Sequence, residues 1–374
     1  GKWIILNTQF SVVNWLLVAI GMGLAFGSKL STLGFVPIFA VMALLPGYGR
    51  SWSWRQAWAR LLQLGSAGLL SIGVVWALFG FEWGAFRFGE GPLAALNAYS
   101  GPMPTFWAGI AKILTLTEGG RLAYLLGDFS IDGFALYFPV AYLAKTPLVV
   151  VLALPLAAIW LLRQPATRRA ALFLLTPALL YFAIATLSDL NLGYRHLLPM
   201  APFLLLLISG LASPRLPLRA GRWVGGATAV LLIATTLSIH PHYLSYFNWA
   251  GGGPANGYQI LLDSNVDWGQ DLLRLQDWMA ANDVEQVRLA WFGTADPAYY
   301  DIPVMPLPGF PRPEYLSLWD APPFNLAQPE PGVYAISVSN LMAFPSPASG
   351  VYDWFREREP SARVGYSILI YEVE

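Results

Sequence analysis

The densest run of polar side chains extends from Asp263 to Asp271 and reads Asp-Ser-Asn-Val-Asp-Trp-Gly-Gln-Asp. Its first five residues match the opening of an EF-hand calcium loop, but Trp268 stands where that loop needs glycine and Arg274 where it needs glutamate. An EF-hand is therefore not expected. Two interpretations stay open: a helix start that faces a substrate cavity, and a plain Asx-turn with Asp267 as N-cap. The candidate substrate-binding residues of this run are Asp263, Asn265, Asp267, Trp268, Gln270 and Asp271.

Basic side chains near two apolar segments form a candidate phosphate site. Lys145 ends the segment Tyr137 to Lys145, and Arg195 lies beside Tyr194 and His196 in a short polar loop. A guanidinium offers a bidentate fork to phosphate, and a helix start adds free N–H groups. The alternatives are a lysine that snorkels to the interface and a weak surface pair between Arg195 and Asp189. The candidate donor-phosphate residues are Lys145, Tyr194, Arg195 and His196.

The tripeptide His240-Pro241-His242 follows the last apolar run. Two histidines at this spacing could bind a metal, but no third ligand follows from the spacing. The competing interpretation is an aromatic belt at the membrane interface, formed with neighbouring tyrosines and phenylalanine. No cofactor is firmly predicted, and the need for a divalent metal stays open. The further candidate substrate-binding residues here are His240, His242, Tyr246 and Asn248.

Seven sequence runs with no or almost no charged residues are expected to form the helices that position the candidate site residues. A bilayer-spanning helix needs about 20 mostly apolar residues, and the runs lack the polar face that a buried helix of a soluble protein would carry. The runs cover residues 3–28, 30–49, 61–81, 146–162, 170–188, 196–214 and 223–239, the fourth extended upstream through 137–145. The sequence therefore predicts a polytopic α-helical membrane protein with about seven transmembrane helices and a C-terminal extracytoplasmic α/β domain.

Arginines in alternate short loops predict the orientation. By the positive-inside rule, the side that carries them is cytoplasmic. The outer loop 82–132 and the domain after residue 239 are then expected outside the cytoplasm, in a bacterial inner or plasma membrane. The basic residues used for this prediction are Lys2, Arg50, Arg55, Arg60, Arg163, Arg168, Arg169, Arg215, Arg219 and Arg222.

Residues 240–374 form the predicted outer domain, and residues 1–239 the predicted transmembrane domain. Asp267 is expected to cap a helix from about Trp268 to Ala281 whose buried face is Leu272, Leu275 and Trp278 or Met279. Strands are expected at 287–292, 333–338 and 367–373, a short helix at 351–358, and an ordered proline-rich loop at 303–331.

Charge and cysteine content exclude several function classes. Residues 1–239 carry 16 basic and 6 acidic groups, and residues 240–374 carry 6 and 16, so the net charge of zero is a cancellation. A nucleic-acid partner is not expected, because no overall basic excess exists to neutralise phosphates. The absence of cysteine excludes disulfides, thiolate metal sites and a cysteine nucleophile.

Several blocks of the chain, taken in order, form a recognisable pattern. The most specific block is Asp263 to Leu272, preceded by Gly257-Tyr258-Gln259. The supporting blocks are Tyr137 to Pro147, Gly193 to Pro199, His240 to Asn248 and Phe292 to Pro297. Together these blocks resemble the bacterial GT-C glycosyltransferases related to protein O-mannosyltransferases. The resemblance covers nearly the whole chain and matches the C-terminal half to two-thirds of such enzymes.

The resemblance implies an inverting sugar transfer at the outer membrane face from a polyprenyl-phosphate donor, with a carboxylate as base in the first outer loop. That loop would precede Gly1, so the chain resembles a family member without its first spans, and Gly1 is suspected not to be the natural start. Asp128 and Asp132 are the weak candidates for a base within the chain. A trio of cationic groups (Lys145, Arg195 and His196) would then face the leaving phosphate, and Trp268 the sugar ring.

The sequence thus predicts a membrane glycosyltransferase or the C-terminal part of one. The alternative is a non-catalytic membrane subunit of a larger complex that kept the fold and lost the catalytic loop. A transporter would fit the spans but would usually show internal repeats. Expected partners are membrane lipids, the lipid-linked sugar donor, an unknown acceptor and, in the membrane, possible partner subunits.

Overall fold

The computed structural model describes residues 12–44, 53–89, 93–118, 121–212, 219–307, 328–342, 344 and 351–374. These residues are mostly helical, with one small sheet and two short hairpins. They divide into two compact units, the first of Gly1–Gly120, Ala157–Ile184 and Met200–Gly210 and the second of Arg121–Leu156, Ala185–Pro199 and Leu211–Glu374. Lys2, Arg50 and Arg215, used above for orientation, and most of the predicted loop 303–331 lie outside the described residues.

Most of the helices coincide roughly with the predicted uncharged runs, whereas the helix Pro104–Glu118 lies in the predicted outer loop 82–132 and was not predicted. Ser53 marks one boundary, since its hydroxyl accepts a hydrogen bond from the Gln56 N–H and starts the third helix. The helices up to the last apolar run are α1 (Val12–Ser28), α2 (Phe35–Leu44), α3 (Trp54–Leu78), α4 (Pro104–Glu118), α5 (Tyr137–Lys145), α6 (Leu148–Arg163), α7 (Pro165–Thr186), α8 (Ala201–Ser209) and α9 (Arg219–Ser238).

Three helical segments of the described chain are long and apolar enough to cross a membrane: α3, α7 and the stretch Tyr194–Ala212, which contains α8. The bent pair α5 and α6 makes a fourth if it counts as one span. Three shorter apolar helices, Val12–Ser28, Thr32–Leu44 and Trp223–Ser238, correspond to the remaining predicted runs. The described part of the chain therefore has three to four candidate membrane-spanning helices, which is compatible with a membrane protein.

The predicted upstream extension of the fourth run is not a straight continuation. Between α5 and α6 the helix axis bends by 109°. Thr146 at the break is extended, with φ −81° and ψ 135°, because the Pro147 ring disfavours helical backbone at the preceding residue and Pro147 has no N–H to donate. The bend brings the end of α5 against the segment after α9.

Small residues pack α1 against α3 in the first unit. A Cβ added at Gly23 would lie 2.5 Å from the Val74 Cβ and 2.9 Å from the Ser71 carbonyl oxygen. Ala19 of α1 and Ala67 of α3 are also fully buried at this contact. Small residues at four-residue spacing let helix backbones approach closely, which is the usual way apolar helices associate in a bilayer. The Trp15 indole N–H also donates to the Ser66 hydroxyl across the pair, at 3.0 Å.

The remaining elements form hairpins and a mixed sheet. A five-stranded sheet has the order β6-β5-β7-β9-β8, with β5 parallel to both β6 and β7, and β9 antiparallel to both β7 and β8. The strands are β1 (Trp83–Ala85), β2 (Ser100–Pro102), β3 (Ala123–Leu125), β4 (Asp128–Ser130), β5 (Val287–Ala290), β6 (Val304–Pro306), β7 (Gly332–Ser337), β8 (Ala362–Val364) and β9 (Ile368–Val373), and the short helices are α10 (Gly253–Asn256), α11 (Leu272–Ala281), α12 (Val338–Leu341) and α13 (Asp353–Arg356).

Helix α11 covers the sheet with the face that the sequence predicted, since Leu272, Leu275 and Met279 are buried in the same apolar cluster as strand residues. Its start was predicted wrongly. Asp267 does not cap it, and α11 begins only at Leu272. Gly269, with φ +79°, interrupts the helical backbone before that point. The three strands expected in the outer domain are present, while β6 at the beginning of the predicted proline-rich loop and β8 were missed.

Candidate functional site

Lys145, at the last position of α5, lies in the interior with 8 % of its surface exposed. Its Nζ donates to the Leu244 carbonyl at 2.9 Å and to the Asn265 carbonyl, and it lies 4.2 Å from the centre of the Phe247 ring. A buried ammonium needs such compensation, and the two carbonyls with the ring face provide it. Two of its three donors are thus used within the chain, so phosphate contact by Lys145 stays a prediction that rests on the third.

Asn265 connects three segments of the second unit. Its Oδ1 accepts from the Tyr194 backbone N–H at 2.8 Å, and its Nδ2 donates to the Tyr137 hydroxyl at 3.0 Å and to the Leu262 carbonyl at 2.9 Å. With 1 % exposure, the amide is enclosed, and these contacts use most of its hydrogen-bonding capacity. Asn265 therefore positions Tyr194, and with it Arg195, while its side chain is not open to solvent.

Asn248 closes the free end of α5. Its Nδ2 donates to the carbonyls of Leu143 and Thr146 at 2.5 and 2.7 Å, and its backbone N–H donates to the Ala144 carbonyl at 2.8 Å. The last carbonyls of a helix have no partner within the helix, so a distant asparagine satisfies them here. Together, Tyr137, Lys145, Asn248 and Asn265 form what we call the buried polar cluster.

Arg195 and Trp268 lie on the exposed side of this cluster. The guanidinium carbon of Arg195 is 5.2 Å from the centre of the Trp268 ring, and 57 % of Trp268 is exposed. At this distance the ring face attracts the guanidinium, and Arg195 is itself exposed to solvent. Within the described part of the chain no carboxylate lies within 4 Å of Arg195, so the alternative of a surface pair with Asp189 is not formed.

Asp263 lies next to this pair. Burial raises the pKa of its carboxyl to about 6, against the opposing effects of the Ser264 N–H and of the Arg195 and Arg121 charges. Its backbone has φ +56°, a left-handed conformation that costs energy in aspartate and is more often kept where it serves function. We call Arg195, Asp263 and Trp268 the exposed face.

The other two aspartates of the run are fully buried. Asp271 is well partnered: Oδ1 accepts from the Arg274 guanidinium at 2.7 Å, and Oδ2 from the Ser367 hydroxyl at 2.8 Å and the Tyr366 N–H at 3.3 Å. Asp267 accepts from the Gly269 N–H at 3.0 Å through Oδ1, which is the Asx-turn of the plainer interpretation. Since neither carboxylate is exposed, a substrate contact by either would need the loop to move.

The candidate residues around the histidines do not converge. His240 Nδ1 lies 2.8 Å from the Tyr243 hydroxyl, whereas His242 lies 3.9 Å from Asp271 and packs edge-to-face on Tyr366. Among the described residues no three His, Asp or Glu side chains form a metal-binding group. Gln270 is used locally, since its Nε2 donates to the Val266 carbonyl at 2.9 Å.

Tyr246 lines an apolar cavity of about 870 Å³ between α6 and α9, and Phe247 and Asn248 lie at the same end of it. His196 is half-buried in the 3-10 helix Tyr194–Met200, which also contains Arg195, and the Tyr194 hydroxyl lies 3.1 Å from the Thr146 hydroxyl. Tyr194 thus contributes its backbone and its hydroxyl to the support of Arg195.

Asp128 and Asp132, the weak candidates for a base, are exposed on and after β4. Neither influences the pKa of Asp263, whereas Arg121, just before β3, does. The hairpin is fixed to the site region by the Leu126 N–H bond to the Ile260 carbonyl at 3.0 Å. The sequence did not predict a role for Arg121 or Tyr137. Tyr137 is the first residue of the block Tyr137 to Pro147, but no pattern in the sequence points to Arg121.

Comparison with family models, with curated proteins and with solved structures returns no match for this chain.

Proposed function

We propose that the chain is a membrane glycosyltransferase, or the C-terminal part of one, that transfers a sugar from a polyprenyl-phosphate donor to an acceptor at the outer membrane face. The observation that carries the proposal is the exposed face. An exposed guanidinium with no carboxylate within 4 Å among the described residues, an exposed indole and a half-buried carboxyl of raised pKa lie near one another. These are the three groups that transfer from a lipid phosphate requires.

Each group has a role in the proposed reaction. The acceptor hydroxyl attacks the anomeric carbon, the bond from that carbon to the phosphate oxygen breaks, and the lipid phosphate leaves with the electron pair. Arg195 stabilises the charge that grows on the phosphate. Trp268 stacks on the sugar, and Asp263 takes the hydroxyl proton, for which a pKa of about 6 suits work near neutral pH. The family resemblance instead assigns the base to a loop ahead of Gly1.

The fine topology is part of the same proposal. Seven spans, with the domain of residues 240–374 outside the cytoplasm, agree with the alternating arginine clusters, of which Arg163, Arg168 and Arg169 lie at the α6–α7 junction. The chain has no cysteine, so a single Asp277→Cys, exposed on α11, is a clean reporter. A membrane-impermeant maleimide added to whole cells should label it. Labelling only after the cells are opened would contradict the proposed orientation.

Arg195→Ala tests the phosphate role, with exposed Arg87→Ala as its matched control. In the full-length protein in lipid nanodiscs, transfer from a polyprenyl-phosphate sugar should fall at least about 100-fold for Arg195→Ala, since it removes a charged donor to the transition state. Arg87→Ala should stay within twofold of the unmodified chain. Equal turnover in all three proteins would exclude the role.

Asp263→Asn separates the two candidate bases. If Asp263 is the base, this variant binds the donor with unchanged affinity but loses turnover. If the base lies in a loop ahead of Gly1, turnover persists.

A non-catalytic subunit is the second candidate, and one observation favours it. Most polar side chains of the resembling blocks form hydrogen bonds within the chain, including those of Lys145, Asn248, Asn265 and Asp271. If the protein is a non-catalytic subunit, the role of these blocks is to maintain the fold. The full-length protein would then bind no lipid-linked sugar, and Arg195→Ala would change neither binding nor stability.

A further inference from the structure

Asp267 occupies an unusual position in the second unit. None of its surface is exposed, and its Oδ2 has no hydrogen-bond partner. In the described part of the chain no basic nitrogen lies within 4 Å of its carboxyl. An isolated buried carboxylate is very costly, so the neutral, protonated form is favoured at this position.

The segment 263–271, which we call the strap, crosses the carboxyl ends of two parallel strands. Gly269 packs on the chain that follows β5, because a Cβ added to it would lie 3.0 Å from Trp291 and 3.2 Å from the Gly293 Cα. On the other side, the hydroxyl of Ser337, the last residue of β7, acts on the Asp267 carboxyl. β5 pairs with β6 on one edge and β7 on the other, so the strap lies where the strand order reverses.

We propose that Asp267 is a proton-sensitive latch: protonated, it holds the strap on the ends of β5 and β7, and ionised, it releases the strap and so displaces Asp263 and Trp268. This inference does not depend on the proposed transferase activity. It follows from the same loop carrying a buried carboxyl without a cation and two residues of the exposed face.

Two neighbouring carboxylates in the strap, Asp271 and Asp263, oppose the ionisation of Asp267. Burial raises the pKa of Asp267 to about 8, the Gly269 N–H and the Ser337 hydroxyl lower it, and Asp271 and Asp263 raise it further. The cations of this region bind to other groups: Arg274 pairs with Asp271, the Lys145 ammonium donates to the Asn265 carbonyl of the strap, and His242 lies 3.9 Å from Asp271. Ser337, which acts on the Asp267 carboxyl from the end of β7, does not titrate in this range, and neither does Trp291, which packs on Gly269.

The direction of the pH effect follows from linkage. A released strap has an aspartate of ordinary pKa, which is already charged at pH 5, while the docked strap keeps its proton up to about pH 8. The equilibrium constant for opening of the strap therefore increases by about tenfold per pH unit, for one proton, until about pH 8. Above that pH it is constant. Between pH 6.5 and 8.5 the opening constant should increase roughly 20-fold.

Hydrogen–deuterium exchange on the full chain in nanodiscs tests this, with rates corrected for the intrinsic effect of pH. Peptides over 263–271 should show the 20-fold rise, while those over β7 and β9 should not. Asp267→Asn, which keeps the acceptor for the Gly269 N–H, should remove the rise. Asp263→Asn makes the same chemical change in the same strap, and because Asp263 titrates near pH 6, that variant should keep the rise.

Two results would overturn the latch. One is a corrected opening constant that is flat across this range in the unmodified chain and in Asp263→Asn, which decides the question even if Asp267→Asn does not fold. The other is a rise in Asp267→Asn equal to that in the unmodified chain. Since the readout is exchange, loss of transferase activity would not affect it.

Discussion

The α1–α3 pair in the first unit and the buried polar cluster in the second are both tightly packed, but by different means. Between α1 and α3, Gly23 and Ala19 bring two apolar backbones into contact, so shape decides the fit. In the polar cluster, Asn265 and Asn248 join distant segments through hydrogen bonds to backbone groups. The first contact is sensitive to added volume, and the second to a lost donor or acceptor. Four substitutions test that distinction.

Asn265→Ala should have the largest effect on stability. It leaves the Tyr194 N–H without its partner and removes one hydrogen bond each from the Tyr137 hydroxyl and the Leu262 carbonyl. A buried orphan costs about 1–3 kcal/mol, and each lost hydrogen bond about 1 kcal/mol. We expect a loss of roughly 3 kcal/mol or more in the free energy of unfolding, measured by SDS titration in mixed micelles. Asn256→Ala, an exposed asparagine with one local bond, is the control and should lose less than about 1 kcal/mol. If both substitutions lowered the free energy of unfolding equally, the hydrogen bonds of the Asn265 side chain would not be important for stability.

Gly23→Ala should come next, at about 1–3 kcal/mol, because the added methyl meets Val74 and the Ser71 carbonyl. Gly21→Ala is a matched control two residues away in the same helix, where an added Cβ meets nothing within 4 Å. It should be neutral or slightly stabilising, since alanine favours the helix. If both substitutions cost the same in the SDS titration, small residues do not explain the α1–α3 contact.

Asp263→Asn should stabilise the protein near neutral pH. The folded pKa of about 6 lies above the unfolded value of 3.8, so the unmodified chain loses stability as pH rises from 4 to 6 and not above. Asparagine has no charge to bury and tolerates φ +56°. We expect a gain of about 1–2 kcal/mol at pH 7 and almost none at pH 3.5. A gain of the same size at both pH values would show that ionisation is not the cause.

Trp268→Ala should have the smallest effect on stability, under about 0.5 kcal/mol, because more than half of the ring is exposed. Its effect should appear instead in ligand binding, where Arg195 loses the surface on which it stacks. Calorimetric titration with a polyprenyl-phosphate sugar checks this, with Trp249→Ala, another exposed tryptophan, as control. A stability loss as large as that of Asn265→Ala would show that Trp268 supports the fold rather than ligand binding.

The same difference explains what could be predicted from the sequence. The apolar helices follow from local patterns, and so do the buried face of α11 and three of the strands, since each depends on residues a few positions apart. The bend at Thr146 could have been read from Pro147. The long-range contacts of Lys145 and Asn265 could not, because those partners lie 71 to 128 residues away in sequence. The exposure of individual side chains could not be predicted from the sequence either, since exposed Trp268 directly follows fully buried Asp267 in the run 263–271.

The cap that Asn248 places on α5 has a consequence for biosynthesis. The carbonyls of Leu143 and Thr146 receive their partner from a residue 105 and 102 positions later. At about 5–20 residues per second, a ribosome needs roughly 5–20 s to reach it. During that interval the nascent helix end depends on water or on the insertion machinery for hydrogen bonds. A chain released before residue 248 can form α5 but lacks the asparagine that caps its last carbonyls in the folded protein.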